Sequence, residues 1–216
     1  MGRKESKIQR WTSRSLGIIF FVLVSQNLIS SPIDHHQERF EDVALKIWEY
    51  AELGYLEEKS SSLLQQELKD SGFTIQSGIA GIPTAFVAEY NNGGPVLGIL
   101  GEFDALPGLS QQNLPFKTAE GLSSANGHAC GHHLFGAASA WAAVAIKEWL
   151  EESGTPGTIR FYGTPAEEGG SGKVYIARDG YFDDVDIVLH WHPASGNSAD
   201  AQSSNSNKSG KFTFSG

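Results

Sequence analysis

The sequence has little of what several protein classes require. Its 216 residues include one cysteine, so an intramolecular disulfide and any disulfide-based scaffold are excluded. Basic residues are also scarce: 16 Lys and Arg face 25 Asp and Glu, for a formal net charge of −9. A protein that binds the phosphate backbone needs a basic surface that displaces counterions. This balance argues against nucleic acid as a partner.

Long apolar runs are also lacking near the amino terminus. The apolar run over 16–24 is too short for a stable helix across a bilayer, which needs about 20 residues. Five basic residues precede this run and small or polar residues follow it, a layout typical of a secretory signal peptide. We therefore expect residues 1–31 to be a leader and the mature protein to be secreted or periplasmic, without a stable membrane span. An uncleaved membrane anchor or a disordered leader is the alternative.

Aromatic residues are plentiful, with 12 Phe, 5 Trp and 6 Tyr, so the chain can build the core of one domain or of one and a half. Spacing of apolar residues predicts helices, and apolar segments between turn signals predict strands. The helices are expected over 36–53, 57–71, 134–150 and 172–179, and the strands over 73–76, 84–90, 96–101, 158–163 and 186–191. This alternation predicts an α/β fold, a mixed sheet flanked by helices.

The carboxyl-terminal part has a different composition. Residues 195–210 are rich in Ser, Asn, Gly and Ala, as in a linker. Residues 211–215 alternate polar and apolar side chains, which predicts a new strand. A chain that stops where a strand begins is expected to be truncated.

Chemically reactive side chains follow the predicted strands and precede the helix over 134–150. Four clusters contain them: Glu102 and Asp104; His128, Cys130, His132 and His133; Glu167 and Glu168; His190 and His192. Open α/β sheets bind their ligands at the carboxyl ends of the strands. The coincidence of the four clusters therefore predicts one site at one edge of the sheet.

The donor types in these clusters favour a transition metal. Cys130 and His132 offer a thiolate and an imidazole two residues apart, which suit Zn, Mn, Co, Ni or Fe better than Mg or Ca. Of two adjacent carboxylates, one can bind metal while the other carries protons. Glu167 and Glu168 form such a pair, so the pattern favours a hydrolase.

Four motifs in this order resemble the M20 metallopeptidase and amidohydrolase family. They are Glu102-x-Asp104-Ala105-Leu106-Pro107, His128-Ala129-Cys130-Gly131-His132, Pro165-Ala166-Glu167-Glu168-Gly169 and Asp179-Gly180. The likeness runs from about Gln37 to Gly216 and is strongest to the branch with aminobenzoyl-glutamate hydrolases, N-acyl amino acid amidohydrolases and auxin-conjugate hydrolases. It implies a zinc-peptidase-like catalytic domain with two divalent metal ions, Zn or Mn, and an inserted lid domain.

The resemblance also implies a role for each motif residue. Cys130, His132, Glu168 and His192 would bind the metal ions, and Glu167 would be the general base. Asp104 would accept the second ring N–H of a ligand histidine, which orients the ring. Counting from Glu168 places the last ligand at His192, while His190 would lie on the same side of a strand and stays open. The roles of Glu102, His128 and His133 stay open as well.

The implied reaction is hydrolysis of an amide bond in a small substrate, an N-acyl or aminobenzoyl amino acid or a small peptide, by a metal-activated water. Within this scheme, residues 32–207 are the first part of the catalytic domain and residues 208–216 begin the lid. A full-length form would be a homodimer, whereas this chain alone would be weakly active or inactive. Two alternatives are a catalytically silent metal-binding or partner-binding module and a metal-free cysteine hydrolase that uses Cys130.

Overall fold

The structure is a computed structural model that describes residues 33–116, 125–199 and 210–215. The leader predicted over residues 1–31 lies outside these ranges. The boundary predicted between the catalytic domain and the lid, at residues 207–208, lies outside them as well. None of the described helices has both the length and the apolar character needed to cross a membrane.

Helices and strands alternate along the chain as predicted. The helices are α1 (Gln37–Tyr50), α2 (Glu58–Asp70), α3 (His132–Ser153), α4 (Glu167–Gly170) and α5 (Gly172–Arg178). The strands are β1 (Thr74–Ser77), β2 (Phe86–Asn91), β3 (Val96–Gly101), β4 (Thr158–Gly163) and β5 (Ile187–Leu189). Short 3₁₀ turns cover Asp34–His36 and Ile79–Gly81. The bounds of β3 and β4 agree with the sequence prediction residue for residue.

The five strands form one mixed sheet in the order β1-β2-β4-β3-β5. The pairs β1–β2 and β2–β4 are antiparallel, whereas β3–β4 and β3–β5 are parallel. The prediction of a mixed sheet flanked by helices is therefore confirmed. Because β3, β4 and β5 run in the same direction, their carboxyl ends meet at one edge of the sheet.

A continuous apolar core fixes the sheet against α1, α2 and α3. Its largest members include Phe40, Ile47, Leu64, Phe86 and Phe161, each no more than 2% exposed. A second cluster forms on the side of α5, around Tyr162 and Ile176. Burial on this scale holds the strand ends rigidly, which is what a metal site needs from its scaffold.

Two segments depart from the sequence prediction in ways that shape the site. The first helix ends at Tyr50 rather than near Leu53, because Ala51 adopts a left-handed conformation (φ 42°) and closes it. The fifth strand ends at Leu189 rather than Trp191, so His190 and His192 lie beyond the regular strand. The prediction that they share one side of a strand is therefore wrong.

The strand predicted over 211–215 is also wrong, since the structure places these residues outside any strand. Phe212 and Phe214 are 83% and 92% exposed. Alternation of polar and apolar residues indicates an extended segment, but a strand forms only where a second strand supplies hydrogen bonds. Among the described residues, this segment pairs with none.

Candidate metal centre

The four clusters of the sequence meet at the shared edge of β3, β4 and β5. Glu102 and Asp104 follow β3, Glu167 and Glu168 follow β4, and His190 and His192 follow β5. Cys130 lies just before α3, whose first residue is His132. The topology therefore brings together side chains that are far apart in the sequence.

His132 is the centre of the arrangement and is fully buried. Its Nδ1–H donates to Asp104 Oδ1 over 2.9 Å, which leaves Nε2 as the atom free to bind a ligand. His132 Nε2 lies 2.8 Å from Glu102 Oε2 and 3.9 Å from Glu167 Oε2. A carboxylate on the far nitrogen fixes the tautomer and raises the basicity of a ligand histidine, as the sequence predicts for Asp104.

Two groups of potential ligands share this imidazole. Cys130, His132 and His192 form one, and Glu102, His132 and Glu167 form the other. Within each group, one donor atom per residue lies within 4.8 Å of the others. The first group has the soft thiolate and imidazole donors of a zinc-type site, and the second is richer in oxygen. Adjacent groups with a common member fit a pair of divalent ions.

Unpartnered polar atoms support this fit. His132 Nε2, Glu102 Oε2 and Glu168 Oε1 are three of the six buried side-chain atoms of the described residues that have no hydrogen-bond partner. His132 Nε2 lies at an ion-pair distance of 2.8 Å from Glu102 Oε2. Buried polar atoms normally have a partner, and a cation between these atoms would supply one.

The two carboxylate partners of His132 change the protonation of the site. Burial opposes a charge on His132, but the carboxylates of Asp104 and Glu102 outweigh it and raise its pKa to about 10. Burial would likewise raise the pKa of Glu102, yet interactions with His132, His190 and Lys173 hold that pKa well below its usual range. A metal ion on His132 Nε2 would have to replace the proton.

Cys130 is a poor nucleophile in this environment. Burial, together with the nearby Glu168 carboxylate, raises the pKa of its thiol to about 12. Its Sγ lies 3.4 Å from His192 Nε2, but a reactive cysteine needs a lowered pKa. The raised pKa thus argues against a metal-free cysteine hydrolase, whereas a bound cation would deprotonate the thiol.

The two adjacent glutamates occupy different surroundings. Glu167 belongs to the oxygen-rich group, and its pKa is raised by burial and by the charges of Glu102 and Glu168. Glu168 is in neither group, although its Oε1 is buried and unpartnered. Its backbone N–H donates to Asp104 Oδ2 over 2.8 Å. The division into base and ligand stays a prediction.

The structure separates the two candidate histidines after β5. His192 joins Cys130 and His132 in the thiolate-containing group, and its ring packs edge-on against that of His132 at 5.5 Å. His190 instead faces Glu102, with 3.6 Å between His190 Nε2 and Glu102 Oε1. The placement favours His192 as the ligand on this side.

Two further histidines of the sequence motif lie beside the site. The rings of His128 and His133 are 5.1 Å apart, and His128 Nε2 lies 3.0 Å from the Ile47 carbonyl oxygen. Burial lowers the pKa of each to about 4, so both are neutral near pH 7. Neither belongs to a ligand group.

Sequence reasoning missed two contributors. Lys173, on α5, pairs with the buried Glu102 carboxylate. The α1–α2 loop, residues 51–57, contacts the segment that carries Glu167 and Glu168. The signal for the loop was its two carboxylates, Glu52 and Glu57, which flank three apolar residues and a glycine over 53–56.

Comparison with known proteins identifies the family to which the chain belongs. The model of peptidase family M20/M25/M40 matches residues 98–205, half of the chain. The chain is 46% identical to one subunit of p-aminobenzoyl-glutamate hydrolase of Escherichia coli over 165 residues, which are 76% of this chain and 34% of that protein. It is 32% identical to hippurate hydrolase of Campylobacter jejuni, over 77% of this chain and 42% of that protein.

A solved structure agrees with both the sequence relatives and the fold. A dinuclear metal-binding peptidase of the M20 family from Bacillus subtilis matches with a TM-score of 0.60 and 26% identity, covering 71% of this chain and 42% of that one. The chain thus spans 34–42% of the length of these three proteins. The family model, the relatives and the fold agree: the chain belongs to peptidase family M20.

Proposed function

We propose that this chain carries the metal centre of a hydrolase that cleaves the amide bond of an N-acyl amino acid. The observation that carries the proposal is the position of His132. Its Nδ1 is held by Asp104 at 2.9 Å, and its Nε2 is common to two groups of potential ligands. A dinuclear hydrolase needs such a pair of adjacent groups.

The residues have complementary tasks in this scheme. Cys130, His132 and His192 would hold one ion, and Glu102 lies beside His132 at the place of a second. Glu168, close to Cys130, would supply a further carboxylate ligand, while Glu167 stays unbound as the base. Divalent ions, Zn or Mn, supply an activated water and a polarised carbonyl when bound. Asp104 orients His132. It also accepts the Glu168 N–H and so holds the segment that carries Glu167 and Glu168.

Glu167 is the proposed proton carrier. Its side chain is 46% exposed and its Oε2 lies 3.9 Å from His132 Nε2, so it can reach both the centre and a substrate from solvent. Burial and neighbouring charges raise its pKa, which brings it closer to the neutral range in which general bases work. Glu167 would accept a proton from the attacking water and deliver it to the leaving nitrogen.

The relatives suggest the substrate class. The names p-aminobenzoyl-glutamate hydrolase and hippurate hydrolase both describe cleavage of an aromatic acyl group from an amino acid. We therefore propose an N-aroyl or N-acyl amino acid as the substrate of the protein to which this chain belongs.

Metal analysis and hydrolysis of p-aminobenzoyl-glutamate and hippurate test the proposal. In the full-length protein to which this chain belongs, we expect two bound ions and metal-dependent turnover, and we expect Glu167→Ala to keep the metal and lose nearly all turnover. Glu152→Ala, which removes an exposed carboxylate of α3, is the matched control. Bound metal without any turnover would instead favour a silent metal-binding module, and unchanged turnover in Glu167→Ala would refute the role of Glu167.

Two further proposals concern the whole protein. The basic residues and apolar run within residues 1–31 support a secretory leader, and amino-terminal sequencing of the exported protein should find residues 1–31 removed. An intact amino terminus would contradict this.

The full-length form is proposed to be a homodimer, which light scattering would test.

A further inference from the structure

The α1–α2 loop, residues 51–57, forms a cradle for the segment over 166–170. Tyr55 Oη donates to the Gly170 carbonyl over 2.6 Å, and the Ala166 N–H donates to Glu57 Oε1 over 2.8 Å. Gly54 allows the close approach, because a Cβ at this position would lie 2.9 Å from the Ala166 Cα. The cradle therefore contacts both ends of the segment that contains Glu167 and Glu168.

The segment needs an external support because its backbone is strained. Ala166 has φ 56° and ψ 43°, a left-handed conformation that is unfavourable for an alanine. Such conformations persist where the surroundings hold them, and they are frequent at functional sites. Ala166 immediately precedes Glu167, so its conformation sets the direction in which Glu167 leaves the backbone.

Glu57 is the member of the cradle best suited to hold Ala166. It is fully buried, and each of its carboxylate oxygens accepts one hydrogen bond, from Ala166 N–H at 2.8 Å and from Thr84 Oγ1 at 3.0 Å. Burial raises the pKa of its carboxyl group. Among the described residues, no basic side chain forms an ion pair with it.

A second buried acid holds the other side of Glu167. Asp104 Oδ2 accepts the Glu168 N–H over 2.8 Å, while its Oδ1 accepts from His132. The backbone before and after Glu167 is thus fixed by two carboxylates from different parts of the chain. Glu57 reaches the segment from the α1–α2 loop, and Asp104 reaches it from the end of β3.

We propose that Glu57 is a positioning residue, which holds Ala166 in its left-handed conformation and so directs the Glu167–Glu168 pair into the metal centre. The roles of Glu167 as base and Glu168 as ligand rest on the proposed function. The mechanical part of the proposal, the hold on Ala166, does not depend on it.

The test compares Glu57→Ala with Glu57→Gln in the full chain. Alanine removes the acceptor, whereas glutamine keeps an oxygen for Ala166 N–H and can donate its amide N–H to Thr84 Oγ1. Glu52→Ala is the control, because Glu52 is the other acid of the loop and accepts from Lys59 N–H and Ser60 N–H of α2, not from the 166–170 segment.

The first measurement is amide hydrogen exchange of the peptide that contains residues 165–170. We expect exchange to accelerate about tenfold in Glu57→Ala, the order expected for loss of a hydrogen bond to a charged group, and to stay near the parent rate in Glu57→Gln and Glu52→Ala. Unchanged exchange in Glu57→Ala would overturn the proposal. Equal acceleration across all core strands would also overturn it, since Glu57 would then support the fold as a whole.

The second measurement is Co²⁺ binding followed by absorption spectroscopy. In Glu57→Ala we expect the thiolate band of Cys130 to remain while uptake falls from two ions towards one, because the ligand Glu168 loses its position; Glu57→Gln should restore uptake. Two ions bound with parent affinity in Glu57→Ala would contradict the proposal. If the parent binds no Co²⁺, the proposed function fails, while the exchange measurement still decides whether Glu57 holds Ala166.

Discussion

Two sets of acidic residues lie in and around the segment over 166–170, and their hydrogen bonding differs. Glu57 and Asp104 have both carboxylate oxygens paired, each with one bond to a backbone N–H of the segment over 166–168. Glu102 and Glu168 each keep one buried oxygen without a hydrogen-bond partner. Acids of the first set hold the backbone, and those of the second set are free to bind a cation.

The difference shows how the fold separates support from chemistry. A buried carboxylate costs free energy unless its oxygens are paired, so the paired set stabilises the arrangement that keeps the unpaired set in place. Removing an acid of the paired set should change the positions of the residues that it holds. Removing a metal-binding residue next to the unpaired set should change metal binding directly. Substitutions in and around each set test this distinction.

The largest effect is expected for His132→Ala. Both ligand groups contain this imidazole, so its loss should weaken the binding of each ion by more than about 100-fold, beyond what the loss of a supporting partner costs. Competition titration with Zn²⁺ measures the effect. His36→Ala, which removes a half-buried histidine paired with Glu148, is the control, and equal affinities in the two variants would refute the central role of His132.

Asp104→Asn should have the next largest effect, because Asp104 is the paired acid that supports both His132 and Glu168. The amide can still contact His132 but loses the charge that raises its basicity, so we expect metal affinity to fall about 10–100-fold. The fold should remain, as checked by circular dichroism. Parent-like affinity would show that orientation of His132 does not need a charged partner.

Substitution of the two histidines that follow β5 is expected to have a smaller and more selective effect on metal binding. His192→Ala should weaken the ion in the thiolate-containing group about tenfold and change the Co²⁺ thiolate band, since His192 lies 3.4 Å from Cys130 Sγ. His190→Ala removes a neighbour of Glu102 instead and should leave that band unaltered. The reverse outcome would assign the ligand to His190.

The smallest effect concerns pH and the paired acid Glu57. Its pKa is raised in the folded state by burial, so the folded state binds a proton more readily than the unfolded state. The resulting stability is present at acidic pH and is lost as pH rises from the ordinary pKa of 4.5 through the higher folded pKa. In Glu57→Gln this loss should be absent, and urea unfolding of both proteins across this range would show it. Parallel pH profiles would contradict the assignment.

Much of the fold could be predicted from local patterns. The bounds of β3 and β4 follow from apolar runs between turn signals, and α2 ends as predicted near Gly72. Errors arose where a long-range contact overrides the local pattern: Leu53 forms a bridge with Ala105, so it cannot extend α1. The strand predicted over 211–215 failed because a strand depends on a partner that alternation alone does not specify.

The sequence by itself determined which metal-binding donor types the chain offers and predicted that they meet at one edge of the sheet. The order of the motifs and the choice of cysteine, histidine and carboxylate donors at strand ends sufficed to indicate a metal-dependent hydrolase, since donor type sets metal preference. Only the tertiary structure decided that Glu102 and Glu167 share His132 as a neighbour, that His192 rather than His190 faces Cys130, and that Glu57 holds Ala166. These are distances between residues far apart in the chain, and they depend on how the strands are ordered and the loops packed.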